Sequence, residues 1–180
     1  MFAEVAGCGS PEACKDVRYS LKAEKPADGE LDALESELEA KVRGLEMELV
    51  ELDVFRGGVR KGVSSVQVRA IVYRPGALGT GDCARAYRAM RPSLESAFPG
   101  RELSVEVSTP GINRRVRDGA ELALYKGRGV RCWRTDVSDW SSGLLEEADG
   151  QGIILKGKEG TIRLDYGIIA KARLDPSQEG

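Results

Sequence analysis

The spacing of hydrophobic residues changes several times along this chain, and each spacing predicts a different element. From Glu30, leucine and valine recur every three or four positions with acidic residues between them, which predicts an amphipathic helix ending near Gly44. Alternating apolar and polar residues then predict two strands, Met47–Phe55 and Val66–Tyr73, which a short connection makes antiparallel. That connection, residues 56–62, is rich in glycine, arginine and lysine and is predicted to be a flexible basic loop.

A second helix and a third strand complete the first half of the pattern. Thr80 or Asp82 can cap the helix, and Pro92 predicts that it stops or kinks there. Its inward side chains are predicted to be Ala84, Tyr87 and Met90. The run Leu103–Val107 alternates as a half-buried strand. Residues 30–118 are therefore predicted to form an α+β domain of order α-β-β-α-β, a sandwich with two helices on one face of a three-stranded sheet.

The second half of the chain has a different pattern, with short apolar runs separated by glycine-containing or acidic turns. A short helix, Gly119–Tyr125, is predicted to precede these runs. The five predicted strands are Val130–Trp133, Gly143–Glu147, Ile153–Leu155, Thr161–Leu164 and Ala170–Leu174. Strands this short and this close predict a small closed β-barrel over residues 119–175, because closure removes exposed edges. The pattern leaves open whether this is an SH3-like barrel or an OB-fold, and residues 176–180 are predicted to be a tail.

The N-terminal residues 1–29 show no periodicity and contain several glycines and prolines, so they are predicted to be a poorly ordered extension. Cys8 and Cys14 lie in this stretch. None of the four cysteines forms a Cys-x-x-Cys pair and the chain has no histidine, so no metal site is predicted. No apolar run approaches the ~20 residues that span a bilayer. We expect no membrane association and a cytoplasmic location with reduced thiols.

The composition argues against catalysis. Without histidine, no Ser-His or Cys-His pair and no histidine base is possible. Neither a P-loop nor a dinucleotide-binding glycine motif occurs, so no catalytic residue and no cofactor is predicted. A carboxylate-dependent hydrolase using Asp82, Glu102 or Glu106 stays open as an alternative, but alternating carboxylates on a strand are typical of a solvated face.

Charge is strongly uneven along the chain, although the net charge is only −2. Residues 30–55 hold nine acids and two bases, whereas residues 56–118 hold twelve bases and five acids. Residues 119–175 balance at nine of each. A basic block of this kind suits a partner rich in phosphate or carboxylate.

The basic block ends on a strand exit followed by clustered arginines. Ser108-Thr109-Pro110-Gly111 predicts a type II turn, in which proline takes position i+1 and glycine position i+2. Guanidinium groups just after a rigid turn suit recognition of phosphates, and the second helix adds a basic face. The candidate binding residues are Ser108, Thr109, Gly111, Asn113, Arg114, Arg115 and Arg117, with Arg85 and Arg88 on the helix. The alternative is an ordinary loop with solvated arginines.

Four segments resemble the bacterial ribosome maturation factor family RimP in consistent order over roughly residues 30–175. Val105–Arg114, Val-Glu-Val-Ser-Thr-Pro-Gly-Ile-Asn-Arg, resembles the family signature, although the family usually has proline where this chain has Arg115. Gly81–Arg85 resembles the start of the family's second helix, and Ile169–Leu174 its closing strand. Gly44–Val50 is the fourth match.

The resemblance implies a function and a partner for each domain. It implies binding to the immature small (30S) ribosomal subunit and assistance in its assembly without catalysis. It also implies an SH3-like or Sm-like barrel that binds a basic small-subunit ribosomal protein near the decoding centre, while the first domain meets ribosomal RNA. Acidic residues beside an exposed tryptophan are the natural contact for a basic protein, and the candidates are Asp136, Asp139 and Trp140. Trp133 and Tyr166 are assigned to the barrel core. We expect the protein to be a monomer. The alternative function is that of a stand-alone RNA-binding regulator.

Overall fold

The computed structural model describes residues 29–60, 63–76, 79–158 and 160–179. The chain divides into two compact units, the first ending at Pro110 and the second beginning at Gly111. The sequence pattern predicts this boundary after residue 118. Residues 111–118 belong to the second unit because Arg115 and Val116 pair with a strand near the C-terminus. The predicted extension lies outside the described residues, apart from Gly29.

The first unit has the predicted order of two helices and three strands. Its elements are α1 (Gly29–Arg43), β1 (Glu48–Arg60), β2 (Val63–Tyr73), α2 (Thr80–Ala97) and β3 (Glu102–Ser108). The sheet order is β1-β2-β3. β1 and β2 are antiparallel, as predicted, whereas β2 and β3 are parallel, with α2 as the connection between them.

Both helices of the first unit contribute to one hydrophobic core with the sheet. α1 buries Leu34, Leu38 and Val42, whose spacing of four residues places them on one side of the helix. On β2, alternate residues from Val66 to Val72 are buried, so one face of the sheet covers the same core. The periods of α1 and β2 therefore predict correctly which face of each turns inward.

Three local predictions in the first unit are wrong. Residues 56–60 are not a loop but extend β1, and a bulge between Arg56 and Val59 absorbs the glycines there. α2 does not stop at Pro92 but continues to Ala97, because residues on both sides of the proline are buried in the core; the other possibility, a kink at Pro92, stays a prediction. Ala84 is exposed and Ala86 is buried in its place.

In its described residues the second unit contains a six-stranded antiparallel sheet, one short α-helix and two 3₁₀ turns. Its elements are β4 (Arg115–Val116), α3 (Gly119–Leu124), β5 (Gly129–Arg134), β6 (Asp139–Ala148), β7 (Gly152–Gly157), β8 (Gly160–Asp165) and β9 (Ile169–Leu174). The sheet order is β4-β9-β5-β6-β7-β8. All five predicted strands are present, and β4 was not foreseen. In the described residues β4 and β8 form the two ends of the sheet and do not pair with each other.

Alternation along the strands of this sheet decides which residues fill the core of the second unit. Val130 and Cys132 of β5 are buried, and so are Ala172 and Leu174 of β9. Tyr166 is buried as predicted, but Trp133 is only half-buried, on the opposite face of β5 from Cys132. The predicted tail begins as a 3₁₀ turn, Pro176–Gln178.

No helix in the described part of the chain combines the length and the apolar character needed to cross a membrane.

Candidate functional site

The segment after β3 carries most of the candidate binding residues. β3 ends at Ser108, which is half-buried, and Thr109 is exposed. The predicted type II turn is wrong, because Gly111 lacks the positive φ that such a turn requires at that position. The chain turns later instead: the backbone N–H of Arg114 donates to the carbonyl oxygen of Gly111 at 3.0 Å, with exposed Asn113 inside the turn.

A buried carboxylate in α3, that of Glu121, holds two of the three candidate arginines. Its Oε1 accepts hydrogen bonds from Arg114 Nε at 2.5 Å and from the Tyr125 hydroxyl at 3.1 Å. Its Oε2 accepts from the backbone N–H and the Nε of Arg117, both at 3.1 Å. Asp118 caps the same helix by accepting from the Glu121 backbone N–H at 2.8 Å. The arginine-rich segment is thereby fixed to α3.

Exposure separates the three arginines of this segment. The Arg114 side chain is 10% exposed and that of Glu121 only 4%, so this ion pair is largely shielded from solvent. Arg117 is about half exposed while it contacts Glu121. Arg115 lies on β4 and is exposed, with no carboxylate within 4 Å in the described part of the chain. This geometry gives Arg114 a structural role and leaves Arg115 the most accessible cation of the three.

The electrostatics of the Glu121 cluster also affect Tyr125. Burial of the Tyr125 ring is the main reason that the pKa of its hydroxyl is raised, and the adjacent Glu121 carboxylate adds to the effect. The phenol therefore stays protonated over the physiological pH range and acts as a permanent donor to Glu121.

The candidates on α2 differ in their partners. Asp82 accepts from the Gly79 backbone N–H at 3.0 Å, and its two oxygens contact Arg74 and Arg85 at 3.3 and 2.5 Å. The hydrogen bond from Gly79 and the two guanidinium groups lower the pKa of Asp82. Arg85 is thus neutralised locally, whereas Arg88 is exposed and has no ion pair among the described residues.

The acidic candidates lie on the hairpin between β5 and β6. Both oxygens of Asp136 are bonded to the guanidinium of Arg134, at 3.0 and 2.5 Å, and this contact lowers the pKa of Asp136. Asp139 Oδ1 accepts from the backbone N–H of Trp140 at 2.7 Å. Trp140 is 37% exposed, in agreement with its predicted exposure, but it belongs to β6 rather than to the loop.

A side-chain hydrogen bond joins the turn at Gly111–Arg114 to β5 of the second unit's sheet. Asn113 Oδ1 accepts a hydrogen bond from Arg131 Nη2 at 3.1 Å. The Arg131 guanidinium also lies 5.1 Å from the ring centroid of Trp140, and the Trp140 ring meets that of Trp133 edge-on at 5.5 Å. The structure therefore brings together Asn113 and Trp140, which sequence analysis had assigned to two different partners.

The basic residues on the same outer face of the sheet as Trp140 are not among the binding residues that the sequence predicts. Arg131 on β5 and Lys171 and Arg173 on β9 alternate with buried residues, so each strand by itself showed that they face away from the core. Their proximity to each other depends on the pairing of β5 with β9, which no local pattern reveals.

Among the described residues, no group of three or more histidine, cysteine, aspartate or glutamate side chains is arranged to hold a metal ion.

Comparison with known proteins identifies the family. No protein-family model matches the chain. The chain is 31% identical over 137 residues to the ribosome maturation factor RimP of Microcystis aeruginosa, and the match covers 73% of this chain and 84% of that relative. It is 27% identical to RimP of Borrelia turicatae and 25% identical to RimP of Borrelia hermsii, each over 130 residues, or 72% of this chain and 85% of the relative. The protein therefore belongs to the RimP family of ribosome maturation factors.

Proposed function

We propose that this protein is a ribosome maturation factor that binds the immature small ribosomal subunit and assists its assembly without catalysing a reaction. The observation that carries the proposal is the 31% identity to a ribosome maturation factor over most of both chains. A factor that binds one arrangement of the assembling subunit more tightly than another shifts the population toward it. Such a mechanism needs binding energy and no chemistry, and it acts where ribosomes are assembled, in the cytoplasm.

The surroundings of the carboxylates support a role without catalysis. Asp82, in the first turn of α2, is occupied by a backbone N–H and two arginines. Glu106 is exposed and contacts Arg69 at 3.4 Å on the outer face of the sheet. The contacts of Asp82 are typical of a helix cap, and those of Glu106 are typical of the solvated face of a strand. Both favour a structural role over the alternative of a carboxylate-dependent hydrolase.

We assign the phosphate contacts of the two units to their exposed arginines. In the first unit Arg88 is an exposed cation of α2 that has no ion pair among the described residues. At the start of the second unit Arg115 is accessible while Arg114 is held by Glu121. The half-exposed Arg117 can add a contact from its outer side. Exposed arginines of this kind bind phosphate groups through charge-assisted hydrogen bonds.

We also propose that the second unit curls into a small SH3-like or Sm-like barrel and that the acidic connection between β5 and β6, at Asp136 and Asp139, meets a basic ribosomal protein. Antiparallel pairing throughout the sheet and short connections support the barrel. Asp139 is the stronger protein contact, because Arg134 already compensates the charge of Asp136. The competing function, a stand-alone RNA-binding regulator, would use the same cations on RNA outside the ribosome.

Sedimentation of a cell extract in a sucrose gradient tests the proposal. The protein is expected to travel with free small subunits and to be absent from translating ribosomes. Arg88→Glu combined with Arg115→Glu should move the protein toward the top of the gradient. The control, Lys126→Glu with Lys158→Glu, makes an equal change of charge at two exposed lysines outside the proposed contacts and should not move it. Wild-type protein bound to RNA at the top of the gradient contradicts the proposal and favours the regulator.

A further inference from the structure

Three arginines lie in cross-strand register on the outer face of the second unit's sheet. Arg173 of β9 is directly opposite Arg115 of β4 on one side and Arg131 of β5 on the other. Neighbouring strands lie about 4.8 Å apart, so the three side chains leave the sheet within about 10 Å. Residues directly opposite each other in an antiparallel ladder share a face, and like charges in such pairs destabilise the sheet.

A second row lies beside the arginines, two residues along β9 and β5, and extends onto β6. Trp133 of β5 is opposite Lys171 of β9 on one side and opposite Trp140 of β6 on the other. The two rows together are here called the basic-aromatic face. It consists of Arg115, Arg131, Trp133, Trp140, Lys171 and Arg173.

The positive charge of the basic-aromatic face is not compensated within the described protein. None of its four cations lies within 4 Å of a carboxylate in the described part of the chain. Arg134 and Arg163, two other cations of the same sheet, do have such partners, at 2.5 and 2.9 Å. Because uncompensated like charges cost stability, their alignment in three adjacent strands indicates a surface that meets an anion.

The aromatic part of the face has an orientation fixed by its neighbours. Trp133 meets the Trp140 ring edge-on at 5.5 Å, and the Arg131 guanidinium lies 5.1 Å from the Trp140 centroid. Arg131 is itself held by Asn113 at 3.1 Å, while its Nε is buried without a hydrogen-bond partner among the described residues. With 37% of its surface exposed, Trp140 offers a preorganised platform.

We propose that the basic-aromatic face binds single-stranded RNA, with phosphates on the cations and at least one base stacked on Trp140. The inference rests on the proposed function only for the source of that RNA. A π-platform within a basic surface is the combination by which single strands are bound without a fixed sequence. A basic ribosomal protein would be repelled by four cations, and the bases of a duplex are stacked on each other and closed to Trp140.

Fluorescence anisotropy with purified protein and a labelled single-stranded RNA of about 12 nucleotides tests the inference. Lys171→Gln with Arg173→Gln removes two of the four cations, and Lys126→Gln with Lys158→Gln is the matched control, since neither lysine belongs to the face. If four phosphates are contacted, wild-type affinity should fall about 50-fold between about 50 and 200 mM salt and that of the double variant only about sevenfold. At about 100 mM salt the double variant should bind about 25-fold more weakly than the control.

The stacking contact is tested separately. Trp140→Ala should weaken binding roughly five- to hundredfold, and Trp140→Phe should recover most of the loss, because a phenyl ring also stacks. The double variant should melt at the same temperature as the wild type or higher, because it relieves like-charge repulsion; this excludes unfolding as the cause of lost binding.

Three results overturn the inference. They are equal affinity of the double variant and its control, unchanged affinity of Trp140→Ala, and competition by polyglutamate as effective as that by RNA, which would indicate an acidic protein partner. Equal affinity for a duplex of the same sequence overturns the stacking mode. Because purified RNA is used, none of these results depends on where the protein travels in a gradient, and failure of the gradient experiment leaves the RNA measurement standing.

Discussion

Replacing Glu121 by glutamine tests whether its buried carboxylate holds the arginine-rich segment. The substitution keeps the size of the side chain and removes its charge. Each oxygen of Glu121 accepts two hydrogen bonds, one pair from Arg114 and Tyr125 and the other from Arg117. The amide nitrogen of glutamine must face one of these pairs of donors, so Arg114 loses its counter-charge and two donors lose their acceptor.

The expected cost follows from burial. Removing one partner of a buried ion pair costs about 3–5 kcal/mol. The lower end applies here, about 3 kcal/mol, because Arg114 is 10% exposed and Arg117 is about half exposed and can be solvated. A unit of about 70 residues has roughly 3 to 10 kcal/mol of stability in total. With a slope of about 1 kcal/mol per molar, the urea midpoint should fall by about 3 M.

The distribution of chromophores allows each unit to be followed in the intact protein. Both tryptophans, Trp133 and Trp140, lie in the second unit, whereas the two long helices, α1 and α2, lie in the first. We expect Glu121→Gln to shift the unfolding transition seen by tryptophan fluorescence and to leave the transition seen by far-ultraviolet circular dichroism nearly unchanged.

Two variants of the same cluster serve as controls. Tyr125→Phe removes one hydroxyl and should cost about 1 kcal/mol. Arg117→Gln removes the half-exposed partner and should cost less than about 1 kcal/mol. If Glu121→Gln costs no more than Tyr125→Phe, the carboxylate does not hold the segment, and the structural role assigned to Arg114 is refuted.

Three further predictions concern backbone, charge and thiol. Pro92→Ala restores a hydrogen bond to the Arg88 carbonyl inside α2, and it also makes the unfolded chain more flexible, which offsets part of the gain. Unfolding followed by circular dichroism should therefore show the first unit stabilised by about 1–2 kcal/mol, and no gain would mean that the proline is not strained. Asp82 has a folded-state pKa below 3.8, so its contribution to the free energy of unfolding is present above that value and is lost as pH falls through the folded pKa. The unfolding midpoint of Asp82→Asn should therefore depend less on pH below about pH 4 than that of the wild type, and an unchanged pH profile contradicts this. Burial raises the pKa of Cys132 to about 12, so in a variant without the other cysteines it should react with a thiol reagent only on unfolding.

Local periodicity predicts the helices and strands but not the contacts between them. The four-residue spacing of Leu34, Leu38 and Val42 and the alternation along β2 depend on one segment at a time, and the helix and the strand that they predict are confirmed. Trp133 of β5, which was predicted to lie in the core, is only half-buried. The predicted stop of α2 at Pro92 is wrong, because the burial of Met90 and Leu94 outweighs the cost of a proline within a helix.

The candidate site was predictable only as a list of residue types. An arginine in a basic segment suggests phosphate binding, and residue type alone does not distinguish Arg114 from Arg115. Their difference comes from Glu121, whose position at i+4 from Arg117 was visible but whose burial was not. The opposition of Arg115 and Arg173 joins strands far apart in the chain, so it becomes visible only with the pairing of β4 and β9.

The open end of the second sheet has a consequence for solubility. β8 pairs only with β7 among the described strands, so its other edge offers backbone groups to which a second chain could add. Arg163 on this strand contacts Asp149 at 2.9 Å and Asp165 at 3.9 Å, and charges of this kind on an edge discourage such addition. Protection of the protein against ordered aggregation therefore depends on a few surface charges and weakens where acid neutralises Asp149, or where Arg163 is exchanged for a branched apolar residue.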